Sequence, residues 1–409
     1  MGGIAIAVVG AGVTMGLAGC GPATPAGASA TPSGTASTSA TPTSSATTSS
    51  SGTRYSFKTL DNPADLTFNQ LLGINNRDVI AGYFGSGAQN HPNQGYVLNR
   101  TLAGFAITSE NVKGTVQTQV TGLNDRGVTV GFSSTMNNAN QAMNDNTGFY
   151  DIHGTFHSVS APSTATSTAT PPVSQLLGVN NQDRAVGFYN DASGNAHGFT
   201  YSIYSGTFHS VTITGATSLT PAAINNANDV AGFYTKAAGT TDGFLRTSGG
   251  RTYTLAAPGA SMTQALGVND LREVVGVYTV GTGSSAVMHG FTWTPFRGFR
   301  TVDDPQGTGT TTINGVNDNG DLVGFYVDSA GSTDGFAAVP TGQTPLPGLI
   351  GAMTSPSTSP SSTMSPAPST SPTSTMSPAP STSPTSTMSP APTSSPTVST
   401  SPTFSGHGS

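Results

Sequence analysis

Charge is scarce in this sequence: 8% of its 409 residues are Asp, Glu, Lys or Arg, against roughly 25% in an ordinary globular protein. Glutamate occurs only at Glu110 and Glu273, tryptophan only at Trp293 and cysteine only at Cys20. A single cysteine excludes a disulfide scaffold and a Cys-based metal cluster. The formal net charge of −6 excludes the basic footprint of a nucleic-acid-binding protein. Helical periodicity is missing, and the apolar run at 4–17 is too short to span a bilayer comfortably. All 13 Lys and Arg and all 19 Asp and Glu fall between Arg54 and Asp334, so the two ends carry no formal charge.

What is present begins with an address. The apolar run has the length of a secretory signal and ends in Leu17-Ala18-Gly19-Cys20. That tetrad resembles a bacterial lipobox, which implies diacylation of the Cys20 thiol and cleavage just before it. No Lys or Arg precedes the run. Two acyl chains suffice for stable anchoring where one would be marginal. The resemblance makes 1–19 a signal peptide and places the protein outside the cell membrane, facing the extracellular or periplasmic side.

Residues 20–53, which after Cys20 are only Ala, Thr, Ser, Pro and Gly with nothing to bury, are expected to form a disordered tether reaching about 30 Å. Residues 341–409 form a second disordered Ser/Thr/Pro-rich segment. It holds a 12-residue repeat starting at Met364, Met376 and Met388, a candidate for O-glycosylation or an unmodified low-complexity stretch.

Between these ends, residues 54–340 carry six copies of one pattern. Each has an anchoring asparagine, at Asn75, Asn124, Asn180, Asn225, Asn269 and Asn317, read as a structural turn residue. The anchors stand 49, 56, 45, 44 and 48 residues apart, and a glycine follows each by seven positions. A second glycine-aromatic pair comes later in each copy, from Gly95-Tyr96 to Gly335-Phe336. Each copy carries four short strand signals; in the third they are 175–179, 185–189, 198–203 and 207–211. The Asn-Asn or Asn-Asp pair marks a tight hairpin, its residues tolerating left-handed φ and hydrogen-bonding their own backbone.

Four antiparallel strands in 45–50 residues, six times over, is the arithmetic of a β-propeller. The sixth copy has no fourth strand, whereas an unpaired one precedes the first copy at Tyr55–Pro63 and reads like Phe299–Pro305. The expected fold is therefore all-β, a six-bladed propeller closed by the N-terminal strand.

The repeated unit resembles the HAF repeat of bacterial extracellular repeat proteins. The likeness rests on the Gly-apolar-Asn turn and on His197-Gly198-Phe199 and His289-Gly290-Phe291. Other copies place Gln94, Thr147, Asp242 or Asp334 where the histidine stands. The resemblance implies an exported repeat domain and no particular reaction.

Candidate chemistry is sparse. Asn317, Asp318, Asn319 and Asp321 pack oxygen ligands and Gly320 into one turn, which makes a calcium candidate. Turn chemistry alone explains the same residues, and no other cofactor is implied. There is no Gly-x-Ser-x-Gly nucleophile motif. A carboxylate pair for glycoside chemistry cannot be placed from sequence. The amide-rich loop of the second copy, 133–147, is either a recognition loop able to hydrogen-bond a glycan or a plain solvated insertion.

The sequence thus points to a monomeric, membrane-anchored lipoprotein whose propeller is a binding or interaction module for a glycan or protein, and not for nucleic acid. A propeller hydrolase or lyase acting on extracellular or cell-envelope polysaccharide is the alternative.

Overall fold

A computed structural model describes residues 54–341, apart from 102–103, 139, 141–142, 164, 166–167 and 308. The signal-peptide residues Leu17, Ala18, Gly19 and Cys20, the tether and the tail lie outside the described residues. Among the described residues, no helix is long and apolar enough to cross a membrane.

The architecture is all-β, arranged as a propeller. In chain order the first unit comprises β2(Asn69–Ile74), β3(Ile80–Phe84), β4(Gln94–Thr101) and β5(Gly104–Ser109). The second comprises β6(Gln117–Leu123), β7(Val128–Ser134), β8(Thr147–Ile152) and β9(Thr155–Val159). The third comprises β10(Ser174–Val179), β11(Arg184–Asn190), β12(Ala196–Ser202) and β13(Thr207–Ser210). Each of these is a separate four-stranded antiparallel sheet.

Next come β14(Ala216–Ile224), β15(Val230–Lys236), β16(Thr241–Arg246) and β17(Thr252–Leu255). They are followed by β18(Met262–Val268), β19(Val274–Val280), β20(Val287–Thr294) and β21(Gly298–Thr301). These two meanders belong to one eight-stranded sheet, joined by a single parallel pairing of Thr241 with Met262. The last sheet combines β22(Thr312–Val316), β23(Leu322–Val327) and β24(Thr333–Thr341) with β1(Arg54–Thr59). Strand β1 lies antiparallel to β24 from Arg54↔Thr341 to Thr59↔Phe336, so the strand that opens the described chain supplies the outermost strand of its last unit. Phe57 packs its ring 5.4 Å from that of Phe336 across this join.

The glycine placed seven residues after each asparagine has a steric cause. Every innermost strand carries a β-bulge, with the register shifting at Leu71/Gly73, Val120/Gly122, Leu176/Gly178, Pro221/Ala223, Ala265/Gly267 and Ile313/Gly315. The bulge presses a carbonyl onto the neighbouring strand. A Cβ on Gly187 would stand 2.0 Å from the Gln175 carbonyl oxygen, and one on Gly276 would stand 1.9 Å from that of Gln264. The aromatic of the second glycine-aromatic pair then lies across the bare glycine: Tyr96 opposite Gly82, Phe149 opposite Gly131, Phe199 opposite Gly187, Phe244 opposite Gly232. Phe149, Phe199, Phe244, Phe291 and Phe336 are fully buried, each forming part of the packing between adjacent units.

Candidate functional site

The six anchoring asparagines meet at the axis. In five of the six inner turns the side-chain oxygen accepts from two backbone N–H groups of its own turn, and at Asn225 it accepts from the Asp229 N–H. For Asn180 the donors are Gln182, 3.0 Å away, and Arg184, 3.1 Å away. The amide nitrogen is left to point outward, and it donates to the backbone carbonyl of the next anchor. Asn75 reaches Asn124 (3.0 Å), Asn124 reaches Asn180 (2.9 Å), and Asn180 reaches Asn225 (2.9 Å). Asn225 reaches Asn269 (3.0 Å), Asn269 reaches Asn317 (3.0 Å), and Asn317 returns to Asn75 (3.4 Å). The circle is closed and runs in one direction. The left-handed residue of each turn is neither the anchor nor its follower but the residue three beyond the anchor: Asp78, Gly127, Asp183, Asn228, Arg272 and Gly320, with φ from 54° to 83°.

A second circle lies one residue further on. The backbone N–H of Asn76, Asp125, Asn181, Asn226, Asp270 and Asp318 each donates to the side-chain oxygen of the next, at 2.7–2.8 Å. The calcium candidates fall inside these two circles. Asn317 Oδ1 accepts from Asn319 and Asp321 N–H, its Nδ2 donates to Asp321 Oδ2, and both Asp318 oxygens accept from neighbouring turns. Among the described residues no group of three or more His, Cys, Asp or Glu is arranged to hold a metal ion.

Inside the circles runs a channel of about 110 Å3, walled by residues such as Leu72, Thr121, Leu177 and Leu266 and by Gly73, Gly122, Gly178 and Gly315. These glycines let the inner strands touch: a Cβ on Gly73 would lie 3.1 Å from the Gly122 Cα. That volume has room for only a few water molecules and is well below the roughly 300–1,000 Å3 of a small-molecule site.

The other end of the units, carrying the second-to-third-strand loops and the links between units, is chemically richer. Nine residues after each anchor, the second strand pairs across to the residue before the second Gly: Phe84↔Gln94, Ser133↔Thr147, Tyr189↔His197, Tyr234↔Asp242, Tyr278↔His289 and Tyr326↔Asp334. These are six equivalent stations, two of them holding the histidine of the repeat. At Tyr189 the imidazole of His197 stacks on the ring (5.2 Å, 19°) and donates to Asp191 Oδ2 at 2.9 Å. That hydrogen bond, with backbone donors from the Asp191 loop, holds the Asp191 carboxyl down to about 2. At Tyr278, His289 stacks in the same way (5.2 Å, 30°) and donates to Asp303 Oδ2 at 2.8 Å. At Tyr234, Asp242 is ion-paired with Lys236, whose ammonium stands 5.9 Å from the ring centroid. The amide-rich loop of the second unit is gathered round one carboxylate, Asp145, which accepts from Ser134 Oγ (2.6 Å), Thr135 Oγ1 (2.7 Å) and Thr135 N–H (3.0 Å).

Charge divides between the two ends. Because neighbouring strands alternate in direction, the inner turns and the third-to-fourth-strand turns open on one face and all other connections on the opposite one. Every arginine sits within three residues of the turn face, and all three lysines sit toward the loop face. Ten arginines against nine carboxylates leave the turn face at +1; three lysines against ten carboxylates leave the loop face at −7.

Two half-buried acids lie away from the channel. Burial, with the Asp151 carboxylate, pushes Glu110 up to about 7 against a hydrogen bond from the Thr129 hydroxyl. Burial, with the neighbouring Asp334, Asp65 and Asp328, pushes Asp61 up to about 6 against the hydrogen bond from the Gly335 N–H. Asp61 borders a cavity of about 260 Å3 at the seam of β1 with the first unit, together with Lys58, Leu60, Leu98, Phe105 and Ile107. No second carboxylate lines that cavity.

No protein-family model matches the chain, and no curated protein matches it significantly. Among solved structures it is similar to a protein of unknown function from Dyadobacter fermentans, with 11% identity over 69% of this chain and 96% of that one and a TM-score of 0.45. The lectin SapL1 in complex with alpha methyl fucoside shows 9% identity over 68% of this chain and 96% of its own, with a TM-score of 0.45. The six-bladed Aleuria aurantia lectin shows 11% identity over 68% of this chain and 97% of its own, with a TM-score of 0.42.

Proposed function

We propose that the chain is an exported, lipid-anchored binding propeller that takes a neutral or amine-bearing saccharide on its loop face. The observation that carries this reading is the pair of repeat-equivalent stations at Tyr189 and Tyr278, where tyrosine, histidine and carboxylate stand together on a face of formal charge −7. Ring edges, imidazoles and carboxylates supply the stacking and hydrogen bonding that polyols require. The acidic field disfavours an anionic ligand. The narrow channel, with its mouth closed into hydrogen-bonded circles, supports placing the ligand elsewhere than on the axis.

In this proposal the propeller has six blades, the two halves of the eight-stranded sheet counting separately because one residue pair joins them. The HAF-type unit, the diacylated Cys20, the disordered tether and the disordered tail belong to the same proposal. A retaining or inverting glycoside hydrolase needs two carboxylates facing one cleft, and the seam cavity offers only Asp61.

The test is titration of the full chain against neutral, amino and acidic oligosaccharides, alongside the His197→Ala/His289→Ala double variant. Saturable binding to a neutral or amino saccharide that the double variant loses is expected. Release of new reducing ends from a polysaccharide would replace the binding reading with the enzyme. Equal binding by wild type and variant would overturn the assignment of the loop face.

A further inference from the structure

The loop face leaves the opposite face unexplained, and that face has a composition of its own. Four large apolar side chains are more than 60% exposed among the described residues, and three of them project from the turn face: Tyr204 (97%), Phe296 (97%) and Leu271 (72%). Tyr204 and Phe296 occupy tips of third-to-fourth-strand turns in two different units, and Leu271 occupies an inner turn. Nothing in the fold needs them there, because a turn tip is the easiest place to leave a polar residue.

The arginines surround these tips. Leu271 is followed by Arg272, and Phe296 by Arg297, and all four are exposed. Arg251 lies over the Tyr253 ring, 4.5 Å from its centroid, and Tyr253 in turn packs against Trp293 of the next unit. Four of the nine carboxylates of this face are buried, and Asp125, Asp270 and Asp318 accept hydrogen bonds within the second circle. Asp229 is fully buried under Arg272 Nε, Asp183 is paired with Arg126, and Asp78 and Asp321 are buried in their turns. A formal charge of +1 therefore understates what a partner meets: exposed guanidinium groups around protruding aromatic and aliphatic tips, on a protein whose other face is at −7.

The basic and apolar groups are spread across a face, in separate turns, instead of lining a groove. That favours a planar anionic surface over a single polymer strand. Guanidinium groups bind phosphate diesters with two parallel hydrogen bonds, and aromatic and aliphatic tips insert at the headgroup boundary. We propose that the turn face docks on an anionic phospholipid bilayer, with Phe296, Leu271 and Tyr204 entering the interface and Arg251, Arg272 and Arg297 contacting lipid phosphates. The acidic loop face is then turned away from the membrane, where like charge would repel it. This inference does not depend on acylation of Cys20 or on what the loop face binds.

The experiment uses the full chain carrying Cys20→Ala, so that no acyl chain contributes. It is sedimented with vesicles of equal parts phosphatidylglycerol and phosphatidylcholine, and with phosphatidylcholine alone. Retention on the anionic vesicles only, falling with added salt, is the expected result. The added changes Phe296→Ser, Leu271→Ser, Arg251→Gln and Arg297→Gln should weaken that retention on the order of a hundredfold. All four side chains are exposed, and an unchanged thermal melt confirms that the variant folds. A loop-face control, Lys113→Gln, should bind as the parent does. Equal retention on both vesicle types, or no loss in the four-site variant, overturns the proposal. Capture by a soluble sulfated polysaccharide without retention on vesicles also overturns it, assigning the face to an acidic polymer. Failure here leaves saccharide titration of the loop face unaffected, so the two readings fall separately.

Discussion

The ring of Phe149 lies across Gly131 so closely that a Cβ on the glycine would stand 2.8 Å from Phe149 Cζ and 2.0 Å from the Gln119 carbonyl oxygen. The two residues are directly opposed on β7 and β8, and Phe149 is fully buried. Gly131→Ala must therefore move either the bulged inner strand or the ring. A loss of about 2–3 kcal/mol is expected, at the upper end of overpacking effects, read as a lowered urea midpoint with an unchanged slope. Gly154→Ala at the neighbouring outer turn has open space around its Cβ, and is strained only through its φ of +86°. It should cost clearly less.

Asn180→Ala removes two acceptor bonds within its turn and two donor bonds, to the Asn225 carbonyl and to Asn228 Oδ1. A loss of about 2–4 kcal/mol is expected, from net bond energies near 1 kcal/mol each plus the buried backbone groups left unpaired. Asn180→Asp keeps both acceptor bonds but sets a carboxylate against the Asn225 carbonyl. Its destabilisation should shrink in acid, where the protonated carboxyl can donate again. Denaturation curves of both variants at neutral and acid pH check this, and a pH-independent penalty for Asn180→Asp would contradict the donor role.

Glu110 predicts a pH dependence of stability. Its carboxyl is raised in the folded chain to about 7 from the 4.5 of an exposed glutamate, first by burial. A raised acid favours folding fully below its unfolded pKa, and this contribution is lost as pH rises through the folded value. Stability should therefore decline between about pH 4.5 and 7, with Asp61, raised to about 6, adding to the decline. Glu110→Gln keeps the shape and an acceptor for Thr129, so it should flatten this slope and raise the melting temperature at neutral pH. A wild-type profile that is flat over the same window would refute the argument.

Cys20→Ala should move the protein from the membrane fraction to the soluble fraction of cells washed in high salt. Salt matters because the turn face supplies its own attraction at low ionic strength. Retention of the variant on washed membranes would remove the lipid-anchor proposal.

Much of this fold is legible in the order of residues because its constraints repeat. Asn75 and its five counterparts, with a glycine seven places on, recur because each turn and each bulge meets the same steric demand. The fourth strand of the last sheet is legible too, since Phe57 and Phe299 sit in like surroundings within their sequences and both end up on outermost strands. The circle of amides is not legible, because Asn124 and Asn180 are 56 residues apart and their contact exists only once the units stand side by side.

The stations of the loop face escape sequence reading for another reason. Exchange of His197 or His289 for Asp242, Asp334, Gln94 or Thr147 looks like drift along the chain. Cross-strand register turns it into a pattern, because each His or Asp stands opposite a tyrosine, whereas Gln94 and Thr147 stand opposite Phe84 and Ser133. The confinement of arginine to one face likewise requires strand direction. Arg184 and Arg246 stand at opposite ends of their strands in sequence yet at the same end of the molecule.

The amide of Asn317 completes its circle on Asn75, and β24 completes its sheet with Arg54–Thr59. Both beginnings of the folded chain are thereby tied to its end, at the axis by side chains of both circles and at the rim by a strand. Such a molecule has no terminal unit to fray. Peeling from either end must break the same two fastenings, so loss of structure is expected to be all-or-none across the ring, with resistance to exopeptidases and to partial unfolding as its practical outcome.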